Sequence, residues 1–459
     1  MNSIEFIKQA KEGKIDLKDF YKRLFKKIND IDKKYDCFIT ICEDEALKQL
    51  DNLPKGRLYG LPVSVKDALC TKGIRTTGGS RILENYKPPF DSTVVAKIKA
   101  EGGVIIGKTC MDEFGFGGFS TNCAYKVPKN PHDITRATGG SSGGAGCVTS
   151  LLDEPHIAIA ESTGGSISCP AAFCGVCGLT PTYGRVSRYG LLDYANSLDK
   201  IGSIARTVRE LALMLNVIAG HDPLDQTSRQ EAVPDYEKNS SINFRIGVPK
   251  EYFEGVDKGI SDLVWKAIKE LERKGAKVFE VSLKTTKHIV PTYYLTAMCE
   301  ASTNLAKLCG MRYGLELPIE GNFNDYFSSV RAKGFGPEAK RRIILGTYAR
   351  MSGYRNQYYM QALKVRTLII NDYKNAFKKC DLLVAPTMPV IAPKFSEIAK
   401  LTPLENYLMD ILTVGPNLAG IPMLSVPCGK FNGMPVGLHL MADHLQEKKL
   451  IDAGVAYHG

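Results

Sequence analysis

Residues 139–178 constrain this chain more than any other stretch, because two glycine–serine loops, Gly139–Gly144 and Gly164–Ser166, flank the apolar run His156-Ile157-Ala158-Ile159-Ala160. Flexible Gly/Ser linkers lack such apolar neighbours. The run reads as a short buried strand that enters Thr163-Gly164-Gly165-Ser166 directly. A strand that delivers a serine onto a glycine turn suits a nucleophile. The glycines leave successive backbone N–H groups free to face a developing oxyanion, and Pro170-Ala171-Ala172 opens a helix whose N-terminus adds a favourable dipole. The same letters also describe a tight strand-to-helix turn with a capping serine.

The surrounding pattern sets the fold class. Residues 1–50 read as helices, one capped by Ser3 and a second by Asp16, with Leu17, Phe20, Tyr21, Leu24 and Ile28 at helical spacing. From Gly60 short β-branched runs alternate with helices: Leu61–Val65, a helix over Thr93–Lys99, Val104–Ile106, and a helix from about Met111. Arg206–Ile218 reads as a helix, Ile246–Pro249 as a strand, Ser261–Lys274 as a helix and Lys277–Val281 as a strand. Helical pattern dominates 288–380, and further strands are expected at Asp381–Pro386, Met423–Pro427 and Val436–Leu440. Such alternation predicts an α/β fold with a central mixed twisted sheet covered by helices on both faces. With no internal repeat and no linker that forces a boundary, 1–459 is expected to be one domain, with 1–50 as an N-terminal helical segment and 51–459 as the α/β core.

At 459 residues, 44% hydrophobic and 24% charged, the chain can bury a large core. It has no apolar run of the roughly 18 residues a membrane span needs, and Glu5, Lys8, Lys11 and Glu12 occupy the place where a signal peptide would be apolar. A cytoplasmic location is therefore expected. Thirteen cysteines are scattered singly, often inside apolar runs, which fits buried thiols better than a disulfide framework. Cys174 and Cys177 have no second pair at zinc spacing, so no metal is expected. The net charge of +11 is spread along the chain without the basic block of a nucleic-acid module.

Two motifs fail on context. Gly102–Thr109 satisfies GxxxxGK[ST], but Val104-Ile105-Ile106 is itself the strand, where a phosphate loop needs the strand before its first glycine. Gly139-Gly140-Ser141-Ser142-Gly143 fits GxSxG, yet a loop precedes it and none of the seven histidines announces a triad. A serine nucleophile without histidine needs another base. Lysine serves once desolvation lowers its pKa by roughly three units from the ordinary ~10.4. Lys66 is the candidate, because period-2 alternation in Gly60-Leu-Pro-Val-Ser-Val-Lys66 sends it and Ser64 to the face opposite Leu61, Val63 and Val65. A strand-end lysine reaching to water is the alternative.

Lys66 in GLPVSVKD, the GGSSGG loop at 139–144 and TGGSISCPAAFCG at 163–175 together resemble the amidase signature family, whose members hydrolyse carboxamides with a Ser–Ser–Lys triad. The stretches from Gly78, Gly107, Pro181, Ser197 and Gly334 extend the likeness to the branch that supplies ammonia to aspartyl- or glutamyl-tRNA amidotransferases. The resemblance implies Ser166 as nucleophile, Lys66 as base and Ser141 as the bridging serine. It implies an oxyanion hole from the N–H groups of Thr163, Gly164, Gly165 and Ser166, and a glutamine pocket at Tyr293, Arg342 and Asp410. An α-carboxylate suits a bidentate guanidinium and an α-ammonium suits a carboxylate. It further implies subunits B and C as partners in a heterotrimer, mischarged tRNA reached through the complex, and no cofactor in this chain, with ATP and Mg²⁺ used by the partner subunit. A stand-alone amidase and a scaffold subunit are the alternatives. Ser162 and Ser168 stand where the family pattern carries Asp and Arg, Glu161 is an unfamiliar charge, and Ser141 and Ser166 lie one residue further apart than the pattern. The two serines are expected to form a neutral, hydrogen-bonded substitute for a charged pair.

Overall fold

Large and small side chains alternate along Ile157-Ala158-Ile159-Ala160, and that alternation decides how the centre of the molecule is packed. Ile157 and Ile159 join the large core with Val63, Val65 and Ile105, whereas Ala158 and Ala160 pack with Ala145, Ile167 and Ala171 in a small, fully buried second cluster. Small residues on that face let the helices Gly143–Leu151 and Ser168–Cys174 lie close to the sheet and to each other. A Cβ on Gly146 would stand 2.9 Å from Pro170 O. The computed structural model describes residues 1–238 and 243–458.

Eleven strands form one mixed sheet: β1 (Phe38–Ile41), β2 (Pro62–Lys66), β3 (Val104–Thr109), β4 (Ile157–Ser162), β5 (Cys177–Thr180), β6 (Lys200–Ala205), β7 (Arg245–Pro249), β8 (Lys277–Val281), β9 (Leu382–Pro386), β10 (Met423–Phe431) and β11 (Met434–Ala442). Their order is β1-β3-β2-β4-β6-β5-β10-β11-β9-β7-β8. β2 lies parallel between β3 and β4, in register Val63↔Ile157 and Val65↔Ile159, so its C-terminal Lys66 emerges beside the end of β4. Every residue of β2 is buried, because helices cover both faces of the central strands. The expected α/β architecture is the one observed.

Three local expectations are corrected. No helix starts at Met111. Only a short 3₁₀ turn, Glu113–Gly115, forms there, because Phe114 takes a positive φ of 48° and the Asp112 carboxylate collects the N–H groups of Ser120 and Asn122 instead. The first helix, Ser3–Lys11, is capped by Asn2, whose Oδ1 accepts the Glu5 N–H at 2.9 Å; the Ser3 hydroxyl donates to Glu210. Residues 1–50 are also not wholly helical, since β1 pairs antiparallel with β3. Asp16 caps Leu17–Tyr35 as expected. In the Gly102–Thr109 motif, Lys108 is buried and donates to Leu69 O and Thr76 Oγ1, both at 2.7 Å, and holds no loop around a phosphate. Among the described residues no helix is long and apolar enough to cross a membrane.

Candidate active site

The 139–144 loop needs its glycines for close approach. A Cβ on Gly140 would lie 2.3 Å from the Asp112 carboxylate, one on Gly143 2.2 Å from Thr138 Oγ1, and one on Gly144 2.4 Å from Cys37 O. That packing presses Ser141, on a cis peptide bond after Gly140, against the end of β2. Lys66 is fully buried there, and its ammonium donates to Ser141 Oγ at 2.7 Å, to Glu161 O at 3.0 Å and to Glu161 Oε2 at 2.9 Å.

β4 ends beside this cluster, and the chain then turns through Gly164 and Gly165. Both glycines allow neighbouring elements to come close: a Cβ on Gly164 would meet Tyr293 Oη at 2.9 Å, and one on Gly165 would meet Thr413 Oγ1 at 2.4 Å. Ser166 follows, with 7% of its surface accessible, and its hydroxyl makes no hydrogen bond among the described residues. The backbone N–H groups of Gly164, Gly165 and Ser166 donate no backbone hydrogen bond there. Asn417 Nδ2 donates to Thr163 O and to Leu198 O, which steadies the turn. The result is a partly accessible serine on a glycine turn with unspent donors next to it, close in sequence to a strand whose end adjoins a buried amine.

The three predicted pocket residues converge on one aromatic cluster without touching each other as a salt bridge. Arg342, on the helix Pro337–Arg350, donates through Nε to Glu338 Oε1 at 2.8 Å and through Nη1 to the Tyr194 hydroxyl. Its guanidinium lies 5.2–5.6 Å from the ring centroids of Phe116, Tyr194, Tyr294 and Tyr407. Tyr294 donates to Asp410 Oδ2 at 2.6 Å, so its ring sits between the cation and the carboxylate. Burial pushes the Asp410 carboxyl above its usual range, against the pull of Tyr294 and Arg342. Tyr293 packs edge-on to Tyr294 at 4.9 Å and reaches Gly164, which ties this cluster to the serine turn.

Sequence reasoning misses the tyrosines around Arg342 and the acids around Lys66. Thr163 Oγ1 lies 2.8 Å from both Glu161 Oε1 and Asp199 Oδ1, and Asp112, pushed up to about 6 by burial, lies close enough for Lys66 to pull it down. Asp199 lies in the SLDK segment and Glu161 is visible as an odd charge, but neither shows a partner in the sequence. The expected bond between Ser162 and Ser168 is absent. Ser162 donates to Gly164 O at 2.7 Å, and the Ser168 hydroxyl is buried without a partner among the described residues.

The amidase family profile matches residues 19–451. The A component of the glutamyl-tRNA(Gln) amidotransferase of Thermoanaerobacter pseudethanolicus is 45% identical over 461 residues, an alignment that covers 97% of this chain and 93% of that protein. Among solved structures, the A component of the glutamyl-tRNA(Gln) amidotransferase of Thermotoga maritima superposes with a TM-score of 0.83 at 36% identity, covering 98% of this chain and 93% of that one. A 6-aminohexanoate cyclic dimer hydrolase shares the fold, with a TM-score of 0.86 at 20% identity over 100% of this chain and 96% of the other.

Proposed function

The chain belongs to the amidase family, and from that premise we propose that it is the glutaminase subunit of a tRNA-dependent amidotransferase: it hydrolyses glutamine to glutamate and supplies the ammonia that converts glutamate on tRNA(Gln), or aspartate on tRNA(Asn), to its amide. The observation that carries this reading is the buried Lys66 amine, 2.7 Å from Ser141, at the foot of the turn that bears Ser166. The relatives that are A components of glutamyl-tRNA(Gln) amidotransferases, similar along almost the whole chain, support the placing of that chemistry in a tRNA amidotransferase complex.

In this mechanism Ser166 Oγ bonds to the carboxamide carbon of glutamine as the carbonyl π pair moves onto oxygen. The N–H groups of the 163–166 turn receive that charge. The Ser166 proton passes to Ser141, and the Ser141 proton to Lys66. Collapse of the intermediate breaks the C–N bond, the same relay protonates the departing nitrogen, and ammonia leaves an ester on Ser166. Water then repeats the sequence to release glutamate. Arg342 takes the α-carboxylate, Asp410 the α-ammonium, and Tyr293 closes the wall between pocket and turn. ATP and Mg²⁺ belong to the partner component B, which activates the aminoacyl-tRNA and accepts the ammonia; a small third component, C, joins the two, and the assembly works in the cytoplasm.

The test is to purify the chain with its co-expressed partner subunits and follow ammonia release from glutamine, with and without mischarged tRNA. Release that depends on Ser166 and is raised by the tRNA supports the reading. Turnover of other carboxamides with none of glutamine would assign a stand-alone amidase.

A further inference from the structure

As an ammonium, Lys66 has three N–H bonds, and its three acceptors, Ser141 Oγ, Glu161 O and Glu161 Oε2, use all of them. A lysine so saturated has no lone pair to offer a serine, so the proton it must lose needs a destination. Glu161 provides one. Its Oε2 is 2.9 Å from Lys66 Nζ, with the two side chains at 3% and 0% exposure, so the proton can cross without meeting solvent.

The far side of Glu161 is built to match. Thr163 owns a single hydroxyl hydrogen, yet its oxygen lies 2.8 Å from both Glu161 Oε1 and Asp199 Oδ1. It cannot donate to two carboxylates, so one carboxyl carries a proton and donates to the threonine oxygen. Asp199 is that one: burial, and then the charge of Glu161, push its carboxyl well above the usual range. Thr163 is thereby left to donate to Glu161. The charged groups that face this chain of hydrogen bonds are Lys66, Asp112 near Lys66, and Arg188 near Asp199.

We propose that Glu161 takes and holds the surplus proton of Lys66, so that the buried ion pair becomes a neutral amine and a neutral acid when the site is primed. An N–H bond of Lys66 breaks, an O–H bond forms at Glu161 Oε2, and the freed electron pair stays on Nζ. A third of a turn about the Cε–Nζ bond aims that pair at Ser141. The Ser141 proton then goes to Nζ while the Ser166 proton goes to Ser141, leaving the Ser166 oxygen pair for the bond to carbon. No net charge enters or leaves the buried cluster, which is what a low-dielectric site favours. Glu161 acts through Lys66 and is a positioning and proton-holding residue. The inference rests on the triad roles of the glutaminase reading.

The test is Glu161→Gln in the full chain with its partner subunits, with two readouts across about two pH units on either side of neutrality. One is kcat and KM for ammonia release from glutamine. The other is the rate at which a fluorophosphonate labels Ser166, which needs no glutamine; a wild-type chain that labels but does not hydrolyse glutamine sinks the substrate assignment and leaves this one standing. Both rates should fall by about 10²-fold at unchanged KM, the size of one proton-transfer partner. Rates within about threefold of wild type, with the acid limb of the profile moved to lower pH, would overturn the proposal, because a lysine relieved of a merely stabilising carboxylate loses its proton more easily. If the glutamine variant does not fold, Glu161→Asp decides, since it keeps the charge and withdraws it from Nζ. A loss of about tenfold in labelling supports the proposal, and a wild-type rate overturns it.

Discussion

Ser166, the proposed nucleophile, has a hydroxyl that makes no hydrogen bond among the described residues, so removing it leaves the packing nearly untouched. Ser166→Ala should keep the fold and cut ammonia release below about one per cent of wild type; retained turnover well above that would remove the nucleophile assignment. Lys66→Arg keeps a buried cation but cannot supply a neutral base, and is expected to be nearly inactive in the same assay. Activity in that variant would leave Lys66 an electrostatic role only. Arg342 differs in kind, because its guanidinium is planar, holds Glu338 and Tyr194 at once and lies among four rings. Arg342→Lys should raise KM for glutamine by about tenfold or more with a smaller change in kcat, the mark of lost ground-state binding. An unaffected KM would point to a different substrate.

The helix that carries Arg342 is fastened at its start by a residue from far along the chain. Gly336, the residue before Pro337, donates its N–H to Glu113 Oε1 and Oε2 at 3.1 and 2.9 Å, and the Ser80 hydroxyl donates to the same carboxyl at 2.5 Å. Burial outweighs these donors and pushes the Glu113 carboxyl up from an ordinary 4.5 to about 7. Between those two values the folded protein holds a proton that the unfolded chain has released, so this carboxyl's contribution to stability is complete at acid pH and is lost as pH rises toward about 7. The slope in that window is bounded by about 1.4 kcal/mol per pH unit. Glu113→Gln should flatten it, read as the difference in urea midpoint between the two ends of the window. An undiminished difference would place the pH response elsewhere, with Asp112 as the next group to examine.

On the scale of the whole molecule, a single sheet covered on both faces leaves polar groups in its middle that must find partners inside. Lys200, on β6, is 2% exposed and has one acceptor, Ile421 O at 2.8 Å, while both ring nitrogens of His439 on β11 are buried and unpartnered among the described residues. Burial brings the Lys200 amine down to about 7 from 10.5. Here the sign is opposite to that of Glu113. The unfolded chain holds the proton up to about 10.5, the folded one gives it up near 7, and stability is lost as pH falls through that range. Lys200→Met should therefore raise the denaturation midpoint at pH values near 7 by an amount worth roughly 2 kcal/mol or more, and have a smaller effect in alkali. A midpoint lowered near neutrality would mean that the lysine is held by more than Ile421.

Local pattern was enough to determine the layers of this protein and the place of the glycine turn that carries Ser166. The alternation in β2 and β4, and the glycines beside Ser166, are properties of adjacent residues, governed by side-chain period and by the absence of a Cβ. The wrong helix at Met111 shows the limit: Asp112 and the N–H groups of Ser120 and Asn122 that it accepts lie within ten residues, but the positive φ of Phe114 follows from how the turn is packed, with Gly78 O accepting the Phe114 N–H. Period-2 spacing likewise put Lys66 at the polar end of β2, and the family resemblance implied its role as a base, yet neither carried a sign that Glu161 would meet it at 2.9 Å or that Asp199 would stand behind Thr163. The ring of tyrosines around Arg342 was equally hidden, since Tyr194, Tyr294 and Tyr407 come from three distant segments. Which chemistry-bearing residues exist, and on which kind of element, is written in short-range order. Which charge faces which is a long-range matter, settled only when β2, β4 and β6 lie side by side and burial makes each unpaired proton costly.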